Sequence, residues 1–370
     1  MLRCAVAGLG IGMAHVAGYL ESTHSELAAV CDLLPERRAA LGGTFASGSM
    51  KVLEPLFRGK ALDASWESMG IRCYTSLDEL LADPSVDMIS LCTPDYLHAD
   101  HGIRVLEAGK HLLLEKPVDI SMEKAAELGR AVDANGRYFA VAYEFRLHPA
   151  VLAMKRLADS GDLGEIAGFS LYHFRTPFRR DKWNKWIQSR SMSGGLIVEE
   201  TCHWFDLARY ITGLELESLS AVSNDRVHPD FDYEDIAFIN GTYRNGAVMQ
   251  ISHSLTGHDF SLIIQLHGTR ASAWCGMKEE ESSSLDAFRT SHYALLSVGK
   301  PGGAPRDAEL TTWGEEASEA FAIRKFTMEA ARLAGTGGPS LCSFDEGREA
   351  LRLSLQAVRS AAEGGERIIL

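Results

Sequence analysis

Three things are scarce in this sequence: positive charge, long apolar runs and closely spaced cysteines. Its 37 Lys and Arg are outnumbered by 50 Asp and Glu, for a net charge of −13. That balance leaves no clustered basic surface for a phosphate backbone and argues against nucleic acid as a partner. No apolar stretch approaches the roughly 18–20 residues that span a bilayer. The chain enters a strand pattern at Leu2 without a basic segment leading into an apolar one, so neither a membrane partner nor a signal peptide is expected. The seven cysteines are odd in number and never stand as Cys-x-x-Cys. No metal site and no disulfide framework is expected from them; they read as small hydrophobes in a reducing, cytoplasmic setting. Internal repeats and low-complexity tracts are absent too. What is present is the 46% hydrophobic and 24% charged content of a soluble globular protein, and 370 residues suit two domains rather than one core.

The first ~145 residues alternate apolar strands, at 2–7, 27–31, 88–92, 111–114 and 138–142, with amphipathic helices, the pattern of a parallel sheet covered on both faces. Ser76-Leu-Asp-Glu79 and Ser343-Phe-Asp-Glu346 are capping boxes, and Ser121 opens a helix that ends near Gly136. The interval 42–70 reads as an insertion or lid-like excursion. After Pro149 the grammar changes. Helices at about 150–160 and 195–212 precede strand after strand with hairpin signals, among them Asn245-Gly246, which suits a type I′ turn, and Gly268-Thr-Arg270. The expected fold is α/β: an N-terminal Rossmann dinucleotide-binding domain and a C-terminal α+β domain with a large open, mostly antiparallel sheet. The boundaries are 1–146, 147–342 and a C-terminal helix, 343–370, that returns to the first domain with Leu351, Leu355 and Val358 facing inward.

Gly8-Leu9-Gly10-Ile11-Gly12 follows a strand and opens a helix, the setting in which backbone N–H groups approach a pyrophosphate at a helix N-terminus. Its spacing is one residue short of G-x-G-x-x-G. Asp32 ends the second strand, where a carboxylate accepts hydrogen bonds from the adenosine ribose and repels a 2′-phosphate, which favours NAD over NADP. Arg37 and Arg38 lie close by, either tempering that preference or forming a solvated face.

Lys116, locked before Pro117 at the end of a buried strand, places an ammonium at the mouth of an open sheet. Glu199, His203, Asp206 and Tyr210 fall at i, i+4, i+7 and i+11 of one expected helix; at about 100° per residue they form a stripe roughly 60° wide on an otherwise apolar cylinder. Such a seam is either an internal hydrogen-bonded one or the lining of a site. Alcohol oxidation needs a base for the hydroxyl proton, an orienting carboxylate and a cation beside the developing alkoxide. His203, Glu199 and Lys116 supply these three. The loop Phe174–Trp186 carries Arg175, Lys182 and Trp183, either as ordinary surface residues or as a clamp on a polyhydroxylated substrate.

The order GxG, Thr93-Pro94-x-x-x-His98, Glu115-Lys116-Pro117, Tyr143-x-x-Arg146-x-His148-Pro149 and Gly194-Gly195…His203-x-x-Asp206 resembles the glucose-fructose oxidoreductase/inositol dehydrogenase/MocA family over essentially the whole chain. The resemblance implies redox chemistry at a sugar or polyol carbon, Lys116 and His203 in the active site, and Thr93, Pro94, His98 and Glu115 along the cofactor. Tyr143, Arg146 and Asp206 join Arg175, Lys182 and Trp183 as expected substrate contacts. One motif departs: where the family has Asp-x-Gly-x-His, this chain has Glu199-Glu200-Thr201-Cys202-His203, with a longer acidic arm and the glycine filled. Two other readings stay open, an NAD-using glycoside hydrolase with transient sugar oxidation and a non-catalytic dinucleotide-binding relative. A homo-oligomer, dimer or tetramer, through the open C-terminal sheet is expected.

Overall fold

The computed structural model describes residues 1–43, 51–178, 183–258, 260–278, 294–304 and 308–370, and the chain divides into two compact units. Short β-rich apolar runs build the first. Strands β1 (Leu2–Ala7), β2 (Ser25–Cys31), β3 (Arg72–Tyr74), β4 (Met88–Leu91), β5 (His111–Leu114) and β6 (Phe139–Val141) form one parallel sheet in the order β3-β2-β1-β4-β5-β6. That is the doubly wound order of a dinucleotide-binding sheet, whose ligands sit beyond the carboxyl ends of the strands. The register pairs Ala7 with both Cys31 and Leu91, and Leu91 with Leu114. Gly8, Asp32, Cys92 and Glu115 therefore leave the sheet side by side at one edge.

Helix α1 (Gly12–Glu21) follows β1, and α2 (His98–Glu107) and α3 (Met122–Asn135) cover later strands. The capping box at Ser343 forms, and at Ser76 the return bond is shifted by one residue. Ser343 Oγ accepts from the Glu346 N–H while Glu346 Oε2 accepts from the Ser343 N–H at 2.8 Å. Ser76 caps the N–H of Glu79, whose own carboxylate reaches back to the Thr75 N–H. Of the 42–70 interval, residues 44–50 lie outside the described residues. The described remainder is not lid-like: Leu53, Leu56, Phe57 and Trp66 are buried, so their apolar surface is committed to the core of this unit.

The second unit is built from Phe145–Arg180, Ile187–Glu319 and Arg352–Leu370. Its nine-stranded sheet runs β14-β13-β12-β11-β7-β10-β9-β8-β15. In chain order these are β7 (Ile166–Phe174), β8 (Leu216–Asn224), β9 (Ile236–Tyr243), β10 (Val248–Ser254), β11 (Ser261–Gly268), β12 (Ser272–Lys278), β13 (Ala294–Gly299), β14 (Glu309–Trp313) and β15 (Ile368–Ile369). All pairings are antiparallel except β7 with β10. One face packs on α4 (Pro149–Ser160) and the helices that follow β7, burying Trp204, Phe205, Phe169 and Tyr243 among others. On the other face Tyr172, Ser252, Phe238 and Val222 form one cross-strand row, in which all three apolar side chains are exposed.

The β9–β10 turn differs from the type I′ expectation. Gly246 has φ +86°, but Asn245 does not join it, since Lys185 is the one non-glycine residue with positive φ among the described residues. Tyr243 N–H bonds the Ala247 carbonyl around a three-residue loop. With one extra residue to accommodate, a single left-handed glycine suffices, as in a type I turn closed by a bulge.

The last two long helices are α7 (Glu319–Thr336) and α8 (Phe344–Ala362). Thr327 of α7 packs against Gly18 of α1, and Phe344 of α8 meets Phe139 edge-on at 6.0 Å; both contacts lie within the first unit. The buried positions of α8 are Gly347, Ala350, Leu351, Leu353, Ser354, Ala357 and Ser360, which leaves Leu355 and Val358 half-buried. The expected return to the first domain holds only as far as Leu351: Arg352–Leu370 belongs to the second unit, where Leu353 and Ala357 join its apolar core.

Candidate active site

Glycine is required where β1 hands over to α1. Gly8 has φ +95°, and a Cβ there would lie 2.2 Å from the Cys92 carbonyl oxygen; at Gly12 it would lie 2.8 Å from a Val6 methyl. The loop therefore packs against β1 itself and against Cys92 just past β4, which leaves no room for a side chain at Gly8 or Gly12. Helix α1 begins with Ile11 at its N-cap, without a side-chain cap and without an acidic residue in its first turn. Its leading N–H groups suit an anionic pyrophosphate. Asp32 fixes the loop from the next strand: Oδ2 accepts from the Leu9 N–H at 2.7 Å and Oδ1 from the Leu34 N–H at 2.8 Å. The Arg37 guanidinium stands 3.5 Å from Oδ2. This donor-rich loop beside a fixed carboxylate fits a dinucleotide.

Further along the same edge Glu115 is buried. Its Oε1 bonds His15 Nε2 at 2.9 Å, and its Oε2 accepts the Lys116 N–H at 3.2 Å. Burial opposes a charge on Glu115, yet the His15 bond and the Lys116 ammonium outweigh it and hold the carboxyl below its usual range. His15 is steadied in turn by Ser90 and Thr327 through Nδ1, at 3.2 and 3.0 Å. Lys116, half-buried, precedes a cis bond to Pro117. His98 is fully buried, with its ring nitrogens 2.6 Å from the Pro117 carbonyl and 2.8 Å from the Thr93 carbonyl. It therefore joins the loops after β4 and β5, and burial lowers its pKa. Thr93 Oγ1 faces His101, whose pKa burial and Arg104 push down to about 4. Pro94 caps the turn Asp95–Leu97, and Tyr143 is buried just past β6.

In the second unit the expected single helix at 195–212 is two. Helix α5 (Leu196–Glu199) ends at Glu200, and α6 (Thr201–Thr212) starts beyond it. The break follows from long-range side-chain contacts. Glu234 accepts the Ile197 N–H at 3.0 Å and pairs with Arg190, which fixes the start of α5. Glu200 is held by Arg175, whose Nη1 lies 2.6 and 2.5 Å from the two carboxylate oxygens. His203, Asp206 and Tyr210 keep their common stripe on α6, whereas Glu199, buried, sits on the other side of the break.

The expected substrate residues are engaged within the protein as well. Arg146 makes a buried two-point ion pair with Asp206, at 2.9 and 2.5 Å, and stacks over Tyr210 at 5.0 Å. Arg175 also lies over the Phe178 ring at 4.9 Å. Lys182 lies outside the described residues, and of Trp183 only the backbone, at the start of the turn Trp183–Gln188, is described. His203 is buried in a ring cluster, 5.6 Å from both Phe145 and Trp204.

Sequence reasoning missed His15, Glu200, Glu234 and the pair His173–His253. His253 stands directly opposite His173 in the β7–β10 register, with His173 Nδ1 3.1 Å from His253 Nε2. Neither spacing nor motif links residues 80 positions apart; only inward alternation on two strands hints at them.

Residues 2–143 match the family model described as an oxidoreductase family with an NAD-binding Rossmann fold, and residues 151–274 match the GFO/IDH/MocA C-terminal domain. The chain is 26% identical over 303 residues to scyllo-inositol 2-dehydrogenase (NAD(+)) of Bacillus subtilis (strain 168), covering 80% of each chain. It is 25% identical over 369 residues to inositol 2-dehydrogenase of Rhizobium meliloti (strain 1021), covering 98% of this chain and 97% of that one. A levoglucosan dehydrogenase solved in complex with NADH shares the fold, with a TM-score of 0.77 at 20% identity over 100% of this chain and 98% of that one.

Proposed function

The chain belongs to the GFO/IDH/MocA family of NAD-binding oxidoreductases, and from that premise we propose that it moves hydride between NAD and a secondary alcohol of a sugar, sugar derivative or cyclitol. One observation carries the reading. The glycine loop, Asp32, Thr93 and Glu115-Lys116 leave four neighbouring parallel strands at one sheet edge, where such sheets take their ligands. Gly8, Gly10, Ile11 and Gly12 would hold the pyrophosphate, Asp32 the adenosine ribose, and Thr93, Pro94, Glu115 and Lys116 the nicotinamide half. His98 would act there through the two loops it pins. NAD, when bound, supplies the hydride acceptor.

In this reading His203 takes the proton from the substrate hydroxyl, and Lys116 favours the developing alkoxide. Glu199 steadies the imidazole after it gains charge. Tyr143, Arg175, Lys182 and Trp183 are proposed to meet the substrate, with Arg146 and Asp206 contributing as a rigid pair. Residues 1–146 would bind the dinucleotide and 147–342 the substrate; of 343–370, only the part up to Leu351 belongs with the first unit. We assign a preference for NAD over NADP to Asp32. A cytoplasmic location fits seven free thiols, and a homo-oligomer through the exposed row Tyr172, Phe238 and Val222 fits that open face. Among the described residues no helix is long and apolar enough to cross a membrane.

Cyclitols, aldoses and glycosides offered with NAD, followed by NADH absorbance, test the reading. Net NADH from a polyol or sugar is the expected result. Sugar release from a glycoside without net NADH would replace it with the hydrolase reading. NAD binding without any turnover would replace it with the non-catalytic one.

A further inference from the structure

Four imidazoles gather in the ring cluster around α6: His148, His173, His203 and His253. Phe145 lies 6.1 Å from His148 and 5.6 Å from His203, while Trp204 lies 5.6 Å from His203 and 4.7 Å from His173. His173 and His253 are 4.7 Å apart, ring to ring. If His203 is the base, something must keep the proton from settling on its neighbours. Hydrogen-bond bookkeeping identifies it.

Thr201 Oγ1 lies 3.3 Å from the Leu196 carbonyl, toward which a hydroxyl can only donate. A hydroxyl that donates there accepts at His253 Nδ1, 2.8 Å away, and His253 then carries its proton on Nδ1. His253 Nε2 is therefore bare and accepts from His173 Nδ1 at 3.1 Å. His148 is fixed separately: Nδ1 accepts the Ala150 N–H at 3.3 Å and Nε2 donates to the Ala317 carbonyl at 2.5 Å.

We propose that Thr201 sets the direction of the chain His173→His253→Thr201→Leu196 and is thereby a positioning residue for His203. The chain fixes the tautomers of two imidazoles beside the base and ties the first turn of α6 to β7 and β10. The inference rests on the reading of His203 as base. It also gives a use to the position where this chain departs from the family's Asp-x-Gly-x-His: a glycine there has no hydroxyl to orient the chain.

The groups around His173 fit. Glu200 Oε1, 3.6 Å from Nδ1, favours a charge on the ring, but Arg175 holds that carboxylate from the end of β7. His253 on β10 and His203 on α6 oppose a charge, as does enclosure by Trp204 and by Phe260 at 5.1 Å. Burial and these neighbours hold His173 well below the ordinary imidazole range. His173 Nδ1, His253 Nε2 and Glu200 also offer ligand atoms within 4.8 Å of one another, a spacing a divalent metal ion can use. The two uses exclude each other, because a metal needs both facing nitrogens bare and the chain protonates one.

Ring-¹⁵N-labelled full-length protein separates them by NMR. His253 should appear as the Nδ1–H tautomer, and His173 should stay uncharged between about pH 5 and 8. Thr201→Val keeps the shape and loses the hydroxyl: the His253 signals should become a tautomer mixture, kcat should fall about tenfold and KM for NAD should stay unchanged. Thr201→Ser should restore both spectrum and kcat. Titration of His173 in that range, an unchanged spectrum and kcat in Thr201→Val, or stoichiometric Zn²⁺ uptake that His173→Ala abolishes would each overturn the proposal. Normal turnover by His203→Ala would remove the base assignment while leaving the tautomer result intact, so the two failures are distinguishable.

Discussion

The two sheets hold polar side chains by different means. In the parallel sheet, Asp32, Thr93 and Glu115-Lys116 are placed by backbone register: each sits just past a strand end, and neighbouring strands end together. In the second unit, His173 and His253 of the mixed sheet and Thr201 of α6 are placed by one another, and Arg146 by Asp206 across 60 residues of sequence. Position set by register survives loss of a single side chain. Position set by mutual hydrogen bonding does not, because removing one member strands its buried partners.

The largest expected effect tests the chemistry of the second region. His203→Ala should lower turnover by about 10²–10⁴ while leaving NAD affinity largely unchanged. Near-normal turnover would make the α6 stripe structural. His148, already committed to the Ala150 and Ala317 backbone, is then the weaker substitute and Tyr143 the stronger.

In the first region the matching break must strike the backbone. Gly8→Ala forces a Cβ to within 2.2 Å of the Cys92 oxygen at φ +95°. The clash and strain should cost about 2–4 kcal/mol of stability and much of the NAD affinity. Calorimetry of the variant with and without NAD checks both. A variant that melts and binds like the parent would show that register does not depend on this glycine.

The same division explains what the sequence disclosed. Strand ends are local, so the run at 111–114, Asp32, Glu115 and the caps at Ser76 and Ser343 could be read from adjacent residues. Two features of the first unit escaped, the short strand β3, whose Arg72-Cys73-Tyr74 has no apolar run, and the His15 bond to Glu115 across 100 residues. In the second unit the hairpin strands were legible, but the break at Glu200 was not. It depends on Arg175 and Glu234, which no helical periodicity encodes. The parallel pairing of β7 with β10 inside an antiparallel sheet brings His173 to His253, and nothing in either strand's alternation announces its neighbour.

Asp32→Ser sharpens the account of the first region with a smaller effect. The substitution removes a carboxylate that would face a 2′-phosphate and leaves Arg37, now 3.5 Å from that carboxylate, available to meet one. The NADP-to-NAD affinity ratio should rise roughly tenfold, the scale of one charge contact near a surface. Titration of both cofactors into the two proteins decides it. Equal affinity of the unmodified protein for NAD and NADP would remove Asp32 from the ribose.

The smallest effect is the dependence of stability on pH, and it spans both regions. Burial lowers the pKa of His98, His101 and His111 in the first unit and of His173 in the second. A histidine depressed in the folded state stays neutral while its unfolded counterpart, near 6.5, takes up a proton. The unfolded chain then binds more protons, so stability is fully present above about 6.5 and declines as pH falls below it. For His101 the decline runs down to about 4. Asp119 works the other way, since burial raises its carboxyl and its protonation favours the folded state at the acid end of that range. Melting temperature should therefore fall from about pH 6.5 to about pH 5, before carboxylates dominate. His101→Asn should flatten the curve modestly, because Asn takes up no proton in the unfolded chain and its amide can still face Thr93. His173→Asn should flatten it too, but from a lower starting stability, because it also takes a member out of the chain that holds α6. If both variants begin at the parent's stability, the mixed sheet is no more dependent on its individual side chains than the parallel one, and the contrast between the two regions fails.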